Sequence, residues 1–203
     1  VFADEAQVMP VAMRFGLDLA ACNGERHLVF SGERDLIAKL ATELEGMGVR
    51  SNPLAVTGAA HSRMLDPILP EFRQAASALQ ARQGDIALIS GLTGELVDAA
   101  LLNQPDFWPR HMRNPVRFVQ CLRKAIDDGA GLFLEMGPDA PLAGIGQREM
   151  GASAHWIASA RRNQSARQPL RQALMQLFVA GVDLPWPQLL RGSGRKCHAP
   201  LYP

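Results

Sequence analysis

The sequence carries none of the signatures of a metal, redox or membrane protein. Its three cysteines, Cys22, Cys121 and Cys197, are odd in number, widely spaced and contain no Cys-x-x-Cys pair. That excludes a disulfide scaffold and a structural zinc site, and it fits a reducing cytosol, so the expected location is cytoplasmic. The five histidines, His27, His61, His111, His155 and His198, are scattered without an HxxxH or HExxH pair. No metal and no bound cofactor is expected. No apolar run approaches the roughly 18 residues of a membrane helix. The formal net charge is only +1, so nothing global argues for nucleic acid or a membrane surface. Neither GxGxxG nor GxxxxGK-S/T occurs, and Gly91, Gly94, Gly144 and Gly146 read as turn glycines. Repeats and low-complexity tracts are also missing, and no secretory leader is expected. The opening on Val1-Phe2, without methionine, predicts that the chain begins inside a larger polypeptide.

What is present is a core-forming sequence. At 203 residues, 47% apolar and 20% charged, it can fold as one large domain or two small ones. Charge is uneven: from Ala160 to Pro203 there are seven Lys or Arg and one acid, Asp183. That tail suits either a solvated linker or an acidic partner.

The first third reads β-α-β-β-α-β. Val1-Phe2 looks like the end of a strand, and Asp4–Phe15 like a helix weakened by Pro10. Leu17–Cys22 and His27–Phe30 read as strands joined by a loop of several residues around Asn23-Gly24. Glu33–Met47 places Leu36, Ile37, Leu40, Ala41, Leu44 and Met47 on one helical face, with Gly48 as its stop. Val49–Val56 reads as the last strand. This order is the split βαβ, or ferredoxin-like, pattern.

The rest alternates helix and strand. Helices are expected over Pro67–Gln80 (broken by Pro70), Phe107–Met112, Pro115–Asp128, Leu142–Met150 and Gln168–Ala180. The last is expected to turn Leu170, Ala173, Leu174, Leu177 and Phe178 inward. Strands are expected at Ile86–Ser90, Leu132–Met136 and His155–Ala158, and Gly129 and Gly181 as helix stops. Such alternation indicates an α/β architecture with a parallel sheet. Residues 183–203, rich in Pro, Gly and Arg, read as an extended linker.

The stretch with chemistry in it runs from Thr57 to Leu69. His61 follows Gly58-Ala59-Ala60, whose small side chains let a substrate approach the imidazole closely. Histidine is also the side chain whose ordinary pKa suits proton transfer near neutrality. A histidine base needs a nucleophile, yet no GxSxG elbow is present. Ser62 adjoins His61, and Ser90 lies in a turn-rich segment without strand-turn-helix context. On the residues alone this is half of a catalytic site.

Seven stretches then fall in one order: Ala21-Cys22-Asn23-Gly24; Val29-Phe30-Ser31-Gly32; Gly58 to Pro67; Ile89-Ser90-Gly91-Leu92-Thr93-Gly94; Trp108 to Phe118; Leu134-Glu135-Met136-Gly137-Pro138; and Ala199-Pro200-Leu201-Tyr202-Pro203. Together they resemble the C-terminal portion of the acyltransferase domain of modular polyketide synthases with the linker after it. More distantly, they are similar to malonyl-CoA:acyl carrier protein transacylases. The resemblance implies a ferredoxin-like small subdomain at 1–57, the C-terminal part of an α/β-hydrolase-like large subdomain at 58–160, and a terminal helix with linker at 161–203.

It also implies an activity. The family moves a malonyl-type group from a coenzyme A thioester to a serine, then to the phosphopantetheine thiol of an acyl carrier protein. His61 matches the family's catalytic histidine, acting as general base and acid. The main-chain carbonyl at the position of His111 would orient it. Gly58, Ala59 and Ala60 stand where the family selects its acyl group. Malonyl-selective members usually show His-Ala-Phe-His and methylmalonyl-selective ones Tyr-Ala-Ser-His, so alanine at 60 leaves room for an α-substituent. A methylene-scale difference decides only about 1–3 kcal/mol, so malonyl stays the default.

The family's nucleophilic Gly-His-Ser-x-Gly elbow, and the arginine that pairs with the malonyl carboxylate, lie before the insert and are expected in a missing N-terminal half. Without them this chain is expected to be inactive alone. The implied partners are that half, the acyl carrier protein, and a ketosynthase reached through the linker. Arg161, Arg162, Arg167 and Arg171 would either steer an acidic carrier or lie along neighbouring domains. The alternative functions are a non-catalytic docking scaffold and a thioester hydrolase.

Overall fold

The computed structural model describes residues 1–56, 58–165 and 167–190. Cys197, His198, the closing Ala199–Pro203 motif and the tail cations from Arg191 on lie outside the described residues. The chain divides into two compact units. The first is Val1–Gly131 with Gly144–Ala154; the second is Leu132–Ala143 with the described residues from His155 on.

In the first unit, α1 (Glu5–Arg14) and α2 (Arg34–Gly46) pack with the hairpin of β1 (Asp18–Gly24) and β2 (His27–Ser31). Val8, Ala12, Leu17, Cys22, Leu28, Leu40 and Leu44 form its buried centre. Pro10 stands in α1 on the exposed side, so its ring meets solvent rather than the core. The expected loop between the strands is only Glu25-Arg26, because β1 pairs on to Gly24 opposite His27. Of the predicted α2 face, Leu40 and Leu44 are buried, while Met47 is exposed beyond the last turn.

Gly48 ends α2 as expected, with φ +71°. Its N–H donates to the Glu45 carbonyl at 2.9 Å and the Val49 N–H to the Leu44 carbonyl at 2.8 Å. Both partners of the accompanying apolar contact, Leu44 and Val49, are buried. Gly129 and Gly181 close their helices with the same pair of bonds.

The expected strand at Val49–Val56 is not formed. Pro53 offers no N–H, residues 52–56 are exposed, and the backbone bond that the described residues show from this segment to its neighbour runs from the Phe2 N–H to the Arg50 carbonyl (2.9 Å). The Val1 carbonyl in turn accepts from the Leu28 N–H at 2.9 Å, so the first two residues run between β2 and Arg50.

Beyond this, a 3₁₀ turn (Arg63–Ile68) leads into α3 (Leu69–Ala76). Pro70 begins α3 rather than breaking it, because its missing N–H is an unpaired one there anyway. β3 (Leu88–Ile89) is shorter than predicted and pairs with β4 (Leu96–Val97), a partner the sequence did not announce. Then follow α4 (Ala99–Leu102), α5 (Phe107–Arg113) and α6 (Phe118–Asp127). α6 starts three residues later than predicted, because Val116 is engaged elsewhere. Its carbonyl accepts from the Cys22 N–H at 2.8 Å and its N–H donates to the Ala20 carbonyl at 2.9 Å, extending the β1 edge.

In the second unit β5 (Leu132–Glu135) and β6 (His155–Ala158) pair in parallel, as the alternating pattern predicts; α7 (Pro141–Met150) falls between them in sequence, and its residues from Gly144 on belong to the first unit. Phe133 and Trp156 stack at 4.5 Å between centroids. α8 (Arg167–Val179) buries Ala173 but leaves Leu170 and Phe178 exposed, against expectation. α9 (Trp186–Leu189) sets Trp186 edge-on to Phe178 at 5.4 Å.

Candidate active site

The His61 turn is built from its small residues upward. Gly58 and Ala60 are exposed and Ala59 half-buried, and the chain reverses at His61 in the left-handed region, φ +55°. For a non-glycine residue that conformation costs about 1–3 kcal/mol and persists only where its surroundings over-determine it. Ser62 supplies part of that determination. It is fully buried; its hydroxyl donates to the Ala59 carbonyl at 2.7 Å and accepts from the Met64 N–H at 3.3 Å, capping the 3₁₀ turn. So engaged, Ser62 is a structural residue and not a nucleophile. Ser90 is likewise buried, its oxygen accepting from the Leu92 N–H at 3.1 Å.

His111 lies on α5 with its ring against Trp108 (6.0 Å between centroids) and Phe107 (6.2 Å). Burial lowers its pKa, and the charge on His61 lowers it further. The two predicted histidines are thus brought near each other from positions 50 residues apart in sequence. The expected hydrogen bond between them is not made from Nδ1. That atom of His61 is buried and has no hydrogen-bond partner among the described residues. An orphaned buried ring nitrogen costs about 1–3 kcal/mol, and native structures keep few such groups.

Sequence reasoning missed the ion pairs beside the histidines. Asp18, at the start of β1, receives both Arg63 and Arg113, and Arg113 also binds Asp66 through Nε at 2.6 Å. Burial alone would raise the Asp18 carboxyl, but hydrogen bonds from Arg63 and the charges of Arg113 and Arg63 outweigh it and hold the pKa below the ordinary value. Both arginines stand in the recognised stretches. Their common partner, 45 and 95 residues away, left no local signal.

A cleft of about 450 Å³ opens beside α3 and α5, lined by Asp66, Arg73, Asp106, Arg110 and Arg113 among others. Gly58, Ala59, Ala60 and His61 do not line it. No group of three His, Cys, Asp or Glu among the described residues could hold a metal. No helix among them is long and apolar enough to cross a membrane.

The fold has counterparts among known proteins. The model of the acyl transferase domain family matches residues 6–184. The phenolphthiocerol synthesis polyketide synthase of Mycobacterium marinum is 33% identical over 196 residues, which cover 96% of this chain and 9% of that protein. The acyltransferase domain from the second module of the salinomycin polyketide synthase superposes with a TM-score of 0.84 at 28% identity, over 96% of this chain and 48% of that one. The malonyl CoA-acyl carrier protein transacylase of Clostridium perfringens shares the fold, with a TM-score of 0.70 at 19% identity over 88% of this chain and 55% of that one. The chain belongs to the acyltransferase domain family, in the form found in polyketide synthases. It spans about half the length of the solved domain and a small part of the synthase it matches.

Proposed function

We propose that this chain is the histidine-bearing part of a polyketide synthase acyltransferase that loads a malonyl-type unit from coenzyme A onto an acyl carrier protein. The observation that carries the reading is His61 itself: one residue combines a strained left-handed backbone with a buried, unpartnered Nδ1. Strain and unmet polar groups gather where a site is kept ready for chemistry.

In this reading His61 takes the proton of a serine hydroxyl as that oxygen attacks the thioester carbonyl. It returns the proton to the departing coenzyme A thiolate. It then deprotonates the phosphopantetheine thiol of the carrier, which attacks the acyl-serine, and finally reprotonates the serine. A carbonyl accepting from Nδ1 would fix the tautomer, and the main-chain carbonyl of His111 is the proposed acceptor. The serine, and the arginine facing the malonyl carboxylate, would come from a segment preceding Val1, and without them the chain would not turn over. Gly58, Ala59 and Ala60 would border the acyl group.

The run of Arg50, Val1-Phe2, β2 and β1, flanked by α1 and α2, supports reading residues 1–57 as a ferredoxin-like small subdomain, with 58–160 in the large subdomain and 161–203 as terminal helix and linker. The linker would reach a ketosynthase. Of the proposed carrier-steering arginines, Arg162 is paired with Asp139 at 3.3 Å, which favours Arg161, Arg167 and Arg171 for that role.

The test is acyl loading by the full synthase polypeptide carrying this chain, followed by intact mass with several acyl-CoAs. His61→Ala should slow loading by at least about 1000-fold, as removal of a general base from a two-residue relay does. Equal loading by variant and parent would remove His61 from the mechanism.

A further inference from the structure

Two arginines, one beside each histidine, close on the same carboxylate. Arg63 lies two residues after His61, and Arg113 two after His111. The Arg63 main-chain N–H donates to Asp18 Oδ2 at 2.8 Å, its Nε to the same oxygen at 3.1 Å, and its Nη2 to Oδ1 at 3.2 Å. Arg113 Nη2 donates to Oδ1 at 3.4 Å. The Asp18 side chain is only 15% exposed. Its backbone pairs with Ser31 of β2, and the same strand is held on its other edge three residues on, where Ala21 pairs with Val116.

The consequence lies in what these bonds restrain. A left-handed His61 returns to an ordinary conformation unless the residues after it are pinned. Ser62 pins the turn to itself, through Ala59 and Met64. The Arg63 N–H bond to Asp18 is what ties that turn to the sheet, and it is made by backbone, so it fixes where the chain runs after His61. Arg113 brings the last turn of α5, two residues from His111, onto the same group. Charge-assisted, bidentate bonds of this kind set geometry as well as energy.

We propose that Asp18 is a positioning residue: its carboxylate holds the His61 turn and the His111 helix in register on β1. The inference rests on the reading of His61 as the general base. Asp18 touches no reacting atom in it. It acts by keeping the imidazole where the proton must travel, and misplacement by about 1 Å costs on the order of 100-fold in rate.

The experiment compares the full synthase polypeptide with Asp18→Asn, Asp18→Glu, Arg113→Gln, Asp66→Asn and His61→Ala, using the acyl-CoA that loads the parent best. Asp18→Asn should lower the maximal loading rate about 10- to 100-fold while KM changes less than about twofold and Tm by no more than a few degrees. Asp18→Glu, which keeps the charge, should recover part of that rate. Arg113→Gln leaves every Arg63 bond in place but also breaks the Arg113–Asp66 pair, so it is read against Asp66→Asn, which removes that pair alone. Arg113→Gln should be about 3- to 10-fold slower than Asp66→Asn, and equal rates in the two would overturn the Asp18 role where Asp18→Asn fails to fold. Parent-like rates in Asp18→Asn with His61→Ala inactive would overturn the Asp18 role alone. So would losses that follow Tm and fall equally on rate and KM. Parent-like loading by His61→Ala would instead overturn the reading beneath it.

Discussion

The two units are written in the same amphipathic code and use it differently. In the first, α1 and α2 turn Val8, Ala12, Leu40 and Leu44 into a continuous core with β1 and β2. In the second, α8 also has an apolar periodicity, yet of the face expected to turn inward Leu170 and Phe178 are 48% and 54% exposed. Periodicity says which side chains share a face. Whether that face is covered depends on which other element lies against it, and no window of sequence contains that information.

The contrast can be broken most sharply at its centre. Leu44→Ala, at a fully buried position, should cost about 2–5 kcal/mol in urea unfolding, because a cavity is left that helices and hairpin cannot close. An effect below about 1 kcal/mol would mean that the first unit is no better packed than the second.

A smaller effect belongs to acid. The Asp18 carboxyl is held below its ordinary value, so the native state binds fewer protons there than the unfolded chain. The stability this provides is complete above the unfolded carboxylate pKa of about 3.9 and is lost as pH falls through the lower folded value. Parent and Asp18→Asn urea midpoints should therefore converge as pH drops below about 4. His111 works at a higher pH. Its pKa is lowered, so its neutral ring favours the folded state above about 6.5, and that contribution fades on acidification below it. A His111 ring resonance titrating above 6.5 would contradict the burial seen here.

The smallest effect should come from the exposed side of α8. Val179→Ser should change stability by less than about 0.5 kcal/mol, since little apolar area leaves water there on folding. A cost comparable to that of Leu44→Ala would show that this face is covered in solution.

Most helices were legible from their repeat and their stops, because an amphipathic period and a glycine in the left-handed region are local facts. Gly48, Gly129 and Gly181 ended their helices as read. Two departures have different causes. Val116 was taken from the start of α6 by the distant β1, whereas Pro53, inside the expected strand at Val49–Val56, withholds an N–H from it. The histidine was visible because small residues and an ordered set of motifs surround it. Its strained backbone and unpartnered Nδ1 were not, since both depend on what packs around the turn.

By itself the sequence determined the family and the α/β alternation and singled out His61 as a candidate, because these rest on residue order and short-range periodicity. The tertiary structure alone decided that Ser62 is a cap, that Leu170 and Phe178 face outward, and that Asp18 gathers Arg63 and Arg113. Such pairings join residues that are near only after the chain has closed, and a carboxylate has no partner until the fold supplies one.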